Sequence, residues 1–457
     1  MINTKQGISR RSLISSLCGG FGAATLADLL ATSAAQAATP RPVGTDFAPK
    51  AKHVISLFMT GGPSQLDMFD PKPGLKKWEG QRPDQVDLRT ERKTGGLLPS
   101  PFEFKKYGRG GIDISELLPN LAKSADDLCV VKSVYSFIAN HEPSRNLYFT
   151  GSIISFRPSM GSWVTYGLGS ENQNLPAFVA LSPGGGNIFS NSGFLPTKYQ
   201  GTVINTSDSD PDKMIRFLRN PTMDKTAQRE QIDLVQSMNK SYEESFGQDA
   251  FLSGRIQSME QAYRMQFTAS EVFDIKKEPE SVRAEYGDSP YATGCLLARR
   301  LVENGVRYVQ VHYGPGQPWD DHKTLNKNLR ERCPGMDQAT AALIRDLKQR
   351  GLLDETIVVW GGEFGRTPVS EAGDGRDHNP YGFTMFMAGG GVKAGMAYGE
   401  TDEFGFKAVE KPVSIHDVHA TILNQLGLNH EKLTYRYAGR DFRLTDVYGN
   451  VVSELIS

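Results

Sequence analysis

The sequence predicts an α/β fold with a mostly parallel sheet and helices on both of its faces. Short runs of apolar, often β-branched residues alternate with longer segments of helical spacing over most of the chain, which is the order typical of β-α-β units. Several of the short runs end in loops rich in Gly, Asp, Glu and His. Open parallel sheets place their sites at the carboxyl ends of strands, so we expect the functional residues in these loops.

The predicted strands are short, apolar and followed by loop residues; they cover residues 53–59, 129–134, 306–312, 356–360 and 383–388. Apolar residues at helical spacing predict helices over 117–127, 336–350 and 417–426. The stretch 208–285 differs from the rest, because it is rich in Gln, Glu, Lys, Met and Arg and poor in strand formers. It predicts a helical insertion into the domain, without a heptad pattern long enough for a coiled-coil arm.

Residues 1–37 have the pattern of an export signal. Arg10 and Arg11 form a twin-arginine pair, an apolar stretch follows, and the small-residue pattern AQA ends at Ala37. A membrane anchor is the alternative, but the apolar stretch is too short to span a bilayer and Asp28 interrupts it. We therefore predict a twin-arginine signal peptide, the twin-arginine translocase as a partner during export, and a periplasmic or secreted protein.

After the signal, residues 38–52 form a predicted lead-in, and 53–457 form the α/β domain with its insertion. The formal charge is −1 and Lys and Arg are spread along the chain, so no basic face for nucleic acid is predicted. Cys129, Cys295 and Cys333 are too widely spaced for a CxxC metal site or a disulfide framework. We expect three isolated thiols.

Residues 140–151 (NHEPSRNLYFTG) resemble the sulfatase signature, in which a Cys or Ser is followed by x-Pro-Ser-Arg and later by a hydrophobic pair and Thr-Gly. The preceding segment 117–136, the strand region 354–363 and the helix region 414–427 also resemble sulfatase elements, in the same order along the chain. The sequence is therefore similar to the alkaline phosphatase and sulfatase superfamily. The resemblance implies an alkaline-phosphatase-like fold.

A narrower resemblance comes from three motifs, GGPSQLDMFDPKP, GGEFGRTP and GRDHNP, together with the twin-arginine leader. This combination resembles a large uncharacterised bacterial family of sulfatase-like proteins that is known as a domain of unknown function. The match runs nearly end to end. It supports the fold and adds little about the reaction, because the substrate of that family is not established.

The departures from true sulfatases limit what the resemblance implies about chemistry. His141 stands where a sulfatase has the Cys or Ser that is oxidised to formylglycine. Histidine cannot form formylglycine, so that nucleophile is excluded here. The calcium-binding Asp pair of sulfatases aligns with Thr60, Gly61 and Gly62, which means that the metal ligands are rebuilt or lost.

Acidic and histidine side chains recur after four predicted strands, which favours a rebuilt metal site. In alkaline phosphatase relatives the corresponding loops supply ligands in the same order. The candidate metal ligands are Asp67, Asp320, His322, Glu363, Asp377 and His378. Helix capping or solvation explains any single one of them equally well, but the recurrence favours a site. We expect Asp67, Asp320, His322, Glu363 and His378 to converge in one metal shell, for zinc or manganese, with calcium or magnesium as alternatives.

His141 is predicted at the start of a helix, with Pro143 in the first turn, where free backbone N–H groups attract an anion. There it would act as a general acid, a metal ligand or a nucleophile, or it would only cap the helix. Arg145 would hold an oxyanion of the substrate through its planar guanidinium. Ser144 is a further nucleophile candidate, although the matching serine of sulfatases supports the loop.

Together these features predict an exported, metal-dependent hydrolase of phosphate or sulfate esters that lacks the formylglycine nucleophile. An ester on a glycan is a candidate substrate. The alternative is a noncatalytic binding or assembly protein on a sulfatase-like scaffold. Retained metal would favour the hydrolase, and a stable metal-free protein would favour the alternative.

Overall fold

The computed structural model describes residues 44–83, 90–185, 189–215, 218, 224–247 and 250–457. The predicted signal peptide, 1–37, and the first part of the predicted lead-in, 38–43, lie outside the described residues. The described part of the lead-in, 44–52, contains neither helix nor strand.

The strands of the described chain are β1 (His53–Phe58), β2 (Phe104–Tyr107), β3 (Ile112–Ser115), β4 (Cys129–Tyr135), β5 (Phe178–Ser182), β6 (Thr202–Asn205), β7 (Tyr308–His312), β8 (Thr356–Gly361), β9 (Gly365–Glu371), β10 (Gly375–Asn379), β11 (Phe383–Ala388), β12 (Met396–Tyr398), β13 (Glu400–Thr401), β14 (Ala408–Glu410), β15 (Val413–Ser414), β16 (Tyr435–Tyr437) and β17 (Arg440–Phe442).

The α-helices are α1 (Gln65–Met68), α2 (Pro119–Lys123), α3 (His141–Thr150), α4 (Met160–Leu168), α5 (Pro211–Met214), α6 (Lys225–Phe246), α7 (Ala250–Val272), α8 (Glu280–Tyr286), α9 (Pro290–Glu303), α10 (Leu325–Gln349) and α11 (Ile415–Gln425). Short 3-10 helices lie at Pro73–Trp78, Ala125–Asp127, Pro183–Gly185, Thr197–Tyr199, Ile275–Lys277, Leu353–Glu355 and Ser453–Leu455.

The chain divides into two compact units. The larger consists of residues 42–433 and 443–457, and the smaller of 1–41 and 434–442. The described part of the smaller unit contains the antiparallel hairpin β16–β17. All further elements belong to the larger unit.

A mostly parallel sheet forms the centre of the larger unit. Within the described residues it has nine strands, in the order β12-β4-β11-β8-β1-β7-β5-β6, with β15 also paired to β4. β1 pairs in parallel with β7 and β8, whereas β11 runs antiparallel to β4 and β8. Every residue of β1, β7, β8 and β11 is buried, as expected when both faces of a sheet are covered. The predicted α/β fold class is confirmed.

The two faces of the sheet carry different helices. Ile55 and Leu57 of β1 belong to the core cluster that holds the buried residues of α9 and α10. Val54 and Ser56 point to the other face, where they line a small internal cavity with residues of α4 and α11, among them Met160. Alternating side chains of one strand thus serve two helical layers.

The helix predicted over 336–350 is longer in the structure. α10 begins at Leu325 and continues through Pro334. Its buried residues, among them Leu329, Cys333, Leu343 and Leu347, recur at the spacing of one helical face. A proline removes a backbone donor and usually ends or kinks a helix, which is why the sequence pattern placed the start after it.

Strands β5 and β6 and the hairpin β9–β10 are among the strands that the sequence did not predict. β5 and β6 extend the central sheet beyond β7. The Gly-rich loop expected around Asp377 and His378 is instead strand β10, which pairs with β9 in a hairpin. Within 208–285 the described residues form the helices α5, α6, α7 and α8 and contain no strand; the limits of an insertion stay a prediction.

Cys129, Cys295 and Cys333 are buried and form no disulfide bond within the described residues, as expected of isolated thiols. Across the part of the chain that is described, every helix falls short of the length or the apolarity that crossing a membrane needs.

One buried carboxylate joins α10 to α2. Asp337 is fully buried and accepts hydrogen bonds from the backbone N–H groups of Asn120 (2.8 Å) and Leu121 (2.8 Å) and from the Asn120 side chain (2.9 Å). These donors lie in the first turn of α2, which would otherwise leave them unsatisfied. Asp337 therefore caps a helix to which it is not covalently adjacent.

We expect Asp337→Ala to lower the free energy of unfolding by about 1–3 kcal/mol, because it strands buried N–H donors. The free energy is measured by urea unfolding at neutral pH. The exposed Asp354 is the control, and Asp354→Ala should stay within about 0.5 kcal/mol of the wild type. Equal unfolding midpoints for the two variants would contradict this role of Asp337.

Candidate metal centre

Side chains that follow the three strands β4, β7 and β8 along the chain form one cluster at the carboxyl edge of the central sheet. His141 is the first residue of α3, which follows β4, and Glu363 lies two residues after β8. Asp320 and His322 are in the loop after β7, and His378 is in β10 of the hairpin that follows β8. β1, β7 and β8 are parallel, so their carboxyl ends meet at the same edge, where open α/β sheets bind ligands.

Asp320 is the centre of this cluster. Its Oδ1 lies 2.8 Å from His322 Nε2 and 3.1 Å from His378 Nε2. Its Oδ2 lies 3.3 Å from His141 Nε2. The guanidinium of Arg366 donates to Oδ1 at 2.7 Å. Three imidazoles, from helix α3, from the loop after β7 and from strand β10, therefore direct the same ring nitrogen at one carboxylate.

The other nitrogen of each imidazole, Nδ1, lies next to an oxygen atom. The pairs are His141 with Glu363 Oε1 (2.8 Å), His322 with Glu371 Oε2 (2.6 Å), and His378 with Ala139 O (2.7 Å) and Glu91 Oε2 (2.8 Å). A carboxylate or carbonyl oxygen only accepts, so each Nδ1 must carry the proton. In the neutral rings Nε2 then presents a lone pair.

Lone pairs that face a carboxylate require a cation or a proton between them. In the described structure the Nε2 atoms of His141 and His322 are buried and have no hydrogen-bond partner, although each lies close to an oxygen of Asp320. His141, Asp320 and His378 offer ligand atoms within 4.8 Å of one another. Imidazoles held at Nδ1 by carboxylates are the usual surroundings of metal ligands, and this donor set suits zinc or manganese. The residues present fit a divalent metal.

Without a metal ion, protons occupy the positions between the imidazole nitrogens and the Asp320 carboxylate. Burial lowers the pKa of His141, but the neighbouring Asp320 and Glu363 raise it by more, so the pKa lies above its ordinary value. The pKa of His322 is raised in the same way, against burial, by Asp320 and Glu371. Burial raises the pKa of Asp320, yet the three imidazoles and a nearby guanidinium hold that pKa far below its usual range.

Further acidic groups adjoin the cluster. Asp377, Glu371 and His322 form a second group with ligand atoms within 4.8 Å of one another, and Glu91, Asp377 and His378 form a third. Asp377 is fully buried, and its Oδ1 has no hydrogen-bond partner. Consecutive strand residues normally point to opposite faces, but the pairing register of β10 shifts between Arg376 and His378. Such a bulge re-aims side chains, which accounts for the proximity of Asp377 and His378.

The structure gives Asp67 a different environment from the one we expected. Both of its oxygens accept from the guanidinium of Arg376 (2.9 and 3.3 Å), and Oδ2 also accepts from Ser64 (2.5 Å). Asp67 and Arg376 are fully buried, and a buried carboxylate requires such pairing. Asp67 is thus an ion-pair partner, and it is absent from the groups of convergent ligand atoms in the described chain. Its role as a ligand stays a prediction.

Glu363 contacts His141 at Nδ1, the ring nitrogen that does not face Asp320. Its two carboxylate oxygens accept from the backbone N–H of Gly61 at 3.0 and 3.1 Å, and Oε1 is the partner of His141 Nδ1. Glu363 is absent from the groups of convergent ligand atoms in the described chain. Glu363 therefore orients the His141 ring, and the prediction that it binds metal itself stays a prediction.

The three predicted site residues of α3, His141, Ser144 and Arg145, have different contacts. The N-cap residue of α3 is Asn140, so the expectation that His141 merely caps the helix is wrong. Ser144 is buried and its hydroxyl donates to Ile138 O at 2.6 Å, which removes it from the nucleophile candidates. Arg145 donates from Nε to His141 O at 3.3 Å and extends away from the cluster.

Arg366 joins the loops around the cluster. It is fully buried and donates to Gly62 O (2.9 Å), Arg376 O (3.1 Å), Trp319 O (3.0 Å), Gly61 O and Asp320 Oδ1 (2.7 Å). Sequence reasoning missed Arg366, Glu371 and Glu91. The motif GGEFGRTP was the available signal for Arg366, and it was used only as a family resemblance.

The sheet and the cluster define an α/β protein with a candidate metal centre at the carboxyl edge of its sheet. The chain belongs to the family described as "Protein of unknown function (DUF1501)", whose profile matches residues 51–456. This confirms the predicted resemblance to a domain-of-unknown-function family. A comparison with curated proteins found no match.

Solved structures with a similar fold include three hydrolases. A sulfatase from Pseudoalteromonas sp. is 13% identical, with a TM-score of 0.39 over 89% of this chain and 72% of that one. An alkaline phosphatase mutant with magnesium bound is 10% identical, with a TM-score of 0.37 over 84% and 100%. A phosphonate monoester hydrolase from Silicibacter pomeroyi is 13% identical, with a TM-score of 0.31 over 68% of each chain. These likenesses concern the fold alone.

We expect Arg366→Met to lower the free energy of unfolding by about 3–5 kcal/mol, because it leaves several buried backbone carbonyls without a donor, at roughly 1–3 kcal/mol each. Urea unfolding followed by circular dichroism measures the change. Arg109, whose side chain is 90% exposed, provides the matched control, and Arg109→Met should change little. A wild-type midpoint for Arg366→Met would show that the loops are held by other contacts.

Proposed function

We propose that the protein is an exported, metal-dependent hydrolase of phosphate or sulfate esters. The convergence of three imidazole Nε2 atoms on Asp320 supports the metal, since each ring is already oriented by an acceptor at Nδ1. The position of the cluster at the carboxyl edge of the sheet supports a ligand-binding role. The pattern of residues 1–37 supports export by the twin-arginine pathway to the periplasm or beyond.

In this proposal His141, Asp320, His322 and His378 hold zinc or manganese. Glu363, Glu371 and Glu91 fix the rings in the tautomer that leaves Nε2 available. A divalent metal held there would polarise an ester oxygen and lower the pKa of water. The cluster is partly open to solvent, because His141, Asp320 and His322 are only half-buried.

The chain's own groups then determine what attacks and what is held. Among the described residues at the start of α3, neither His141 nor Ser144 is free as a nucleophile, because one belongs to the cluster and the other donates to Ile138 O. The attack therefore falls to water. The first backbone N–H groups of α3, a ten-residue helix, attract the anionic ester to the centre.

The engagement of both His141 and Ser144 also supports an alternative function. A site without a protein nucleophile also fits a noncatalytic binding or assembly protein on this scaffold. Such a protein would bind metal and a phosphorylated or sulfated ligand, including a glycan, without turnover. Metal binding and hydrolysis therefore have to be measured separately.

We expect the purified full chain to bind one zinc or manganese ion at the Asp320 cluster. Glu371→Gln should weaken metal binding about 10- to 100-fold, the usual effect of removing an acceptor behind a ligating imidazole. Equilibrium dialysis with metal analysis gives the affinity. Glu403 is exposed, and Glu403→Gln is the control. Equal affinities for the two variants would contradict the assigned site.

We expect the wild type to hydrolyse aryl phosphate or aryl sulfate esters when zinc, manganese, magnesium or calcium is supplied in turn. His141→Ala should lower kcat/KM by about two orders of magnitude or more, because it removes a ligand of the metal that polarises the ester. Melting temperatures of both proteins control for folding. Metal binding by the wild type without turnover of any ester would instead favour the noncatalytic alternative.

A further inference from the structure

An open cavity of about 290 Å³ lies over the carboxyl ends of β1, β5 and β7. Its walls include Phe58 and Thr60 after β1, Ser182 at the end of β5, His312 at the end of β7, and Arg145 from α3. This volume is at the lower end of the roughly 300–1,000 Å³ range of small-molecule sites. The cavity is therefore large enough for one ring-sized group.

Helix α3 and the loop after β1 connect the lining of this cavity to residues of the candidate metal centre. Arg145 lies one helical turn after His141, and its Nε donates to His141 O at 3.3 Å. Thr60 directly precedes Gly61, whose N–H donates to Glu363, the partner of His141. A molecule held at the centre thus has the cavity as its neighbour along α3 and along the loop after β1.

The cavity carries positive charge without a matching acid. Arg145 is the sole arginine or lysine among its described lining residues, and none of these is Asp or Glu. Arg145 is half-buried, whereas the fully buried guanidiniums of Arg299, Arg366 and Arg376 all pair with carboxylates. Within the described chain Arg145 bonds through Nε alone, which leaves the two terminal nitrogens of its fork for an anion.

Thr60 adds an unsatisfied polar group. The residue is 4% exposed, and its Oγ1 is buried without a hydrogen-bond partner in the described structure. A buried hydroxyl without a partner is unfavourable and calls for an explanation. An oxygen atom of a ligand in the cavity would satisfy it.

Phe189 gives the cavity an aromatic wall that is held in place, and the other lining residues include two prolines, three glycines and the fully buried Phe58. Phe58 packs on Phe149 with ring centroids 4.6 Å apart, and Phe149 stacks on Phe189 at 4.9 Å. The Arg145 guanidinium lies over the Phe189 ring at 5.8 Å. Flat apolar faces beside a cation suit the face of a ring whose edge bears a negative charge.

We propose that this cavity binds the organic part of the substrate and selects a ring, sugar or aromatic, that carries a second negative charge. Arg145 binds that charge, Thr60 donates to an oxygen of the ring, and Phe189 packs on one of its faces. Only the statement that the ring belongs to an ester rests on the proposed function. Binding of the ring itself does not depend on it.

Calorimetry on the full chain, with and without added zinc, tests the cavity directly. The probes are 4-hydroxybenzoate and glucuronate as charged rings, and phenol and glucose as their neutral counterparts. We expect a charged ring to bind at least about tenfold more tightly than its counterpart, and Arg145→Met to weaken it about 10- to 100-fold, as for a hydrogen bond to a charged group. Whichever charged ring binds identifies the aromatic or the sugar class.

Two further variants keep the test decisive. Thr60→Val preserves the shape of the side chain and should weaken binding about 3- to 10-fold, as for a neutral hydrogen bond. Arg330, a helix residue with a half-exposed side chain, gives the control Arg330→Met, which should bind like the wild type. Melting temperatures show whether Arg145→Met is folded. Equal binding of charged and neutral rings, or unchanged binding by both cavity variants, would overturn the proposal.

Hydrolysis of phenyl phosphate and 4-carboxyphenyl phosphate separates the two proposals. Turnover of both esters with equal KM, unchanged in Arg145→Met, would remove the cavity proposal and leave the hydrolase intact. Selective ring binding without turnover of any ester would support the cavity and count against the hydrolase. A lower KM for the carboxylated ester, lost in Arg145→Met while kcat changes less, supports both.

Discussion

The guanidinium of Arg366 holds the carboxyl edge of the sheet in one arrangement. Its donors satisfy backbone carbonyls of the loops after β1 and β7 and of the hairpin β9–β10, and one of them also orients Asp320. The carbonyls of Gly62 and Trp319 lie in loops, where no sheet partner is available, and buried carbonyls require a donor. A planar group with five N–H donors satisfies several of them at once. The position of the central carboxylate, and with it the geometry of three imidazoles, follows from this one buried cation.

The parts of the fold that follow from local pattern could be predicted from the sequence. Apolar runs followed by glycine gave β1, β8 and β11, and an apolar run without a following glycine gave β4, each to within one residue. Strands that are buried on both faces have near-continuous apolar sequences. The hairpin β9–β10 could not be found in this way. Its residues are polar and buried, and they are stabilised by long-range partners such as Asp67 and Glu91, which periodicity does not reveal.

Part of the candidate site could also be predicted, because it follows from the topology of the sheet. Asp320, His322 and His378 follow strands of a parallel sheet, so topology alone brings them together. Which carboxylate binds metal and which binds arginine is decided by distances of a few ångströms. Asp67 pairs with Arg376, whereas Asp320, which also accepts from an arginine, keeps its contacts with three histidines. Ser144 likewise matched a catalytic motif, yet its hydroxyl is held by the carbonyl of Ile138.

Helix α3 carries both His141 and Arg145, one turn apart and linked by a hydrogen bond. Any substitution that rotates or shifts this helix therefore alters the metal cluster and the adjoining cavity together. The walls that β5 and β7 contribute, around Ser182 and His312, lie outside this helix, so changes there need not move His141. Comparing relatives at those two strand ends, with α3 held constant, would trace how one scaffold acquires different specificities.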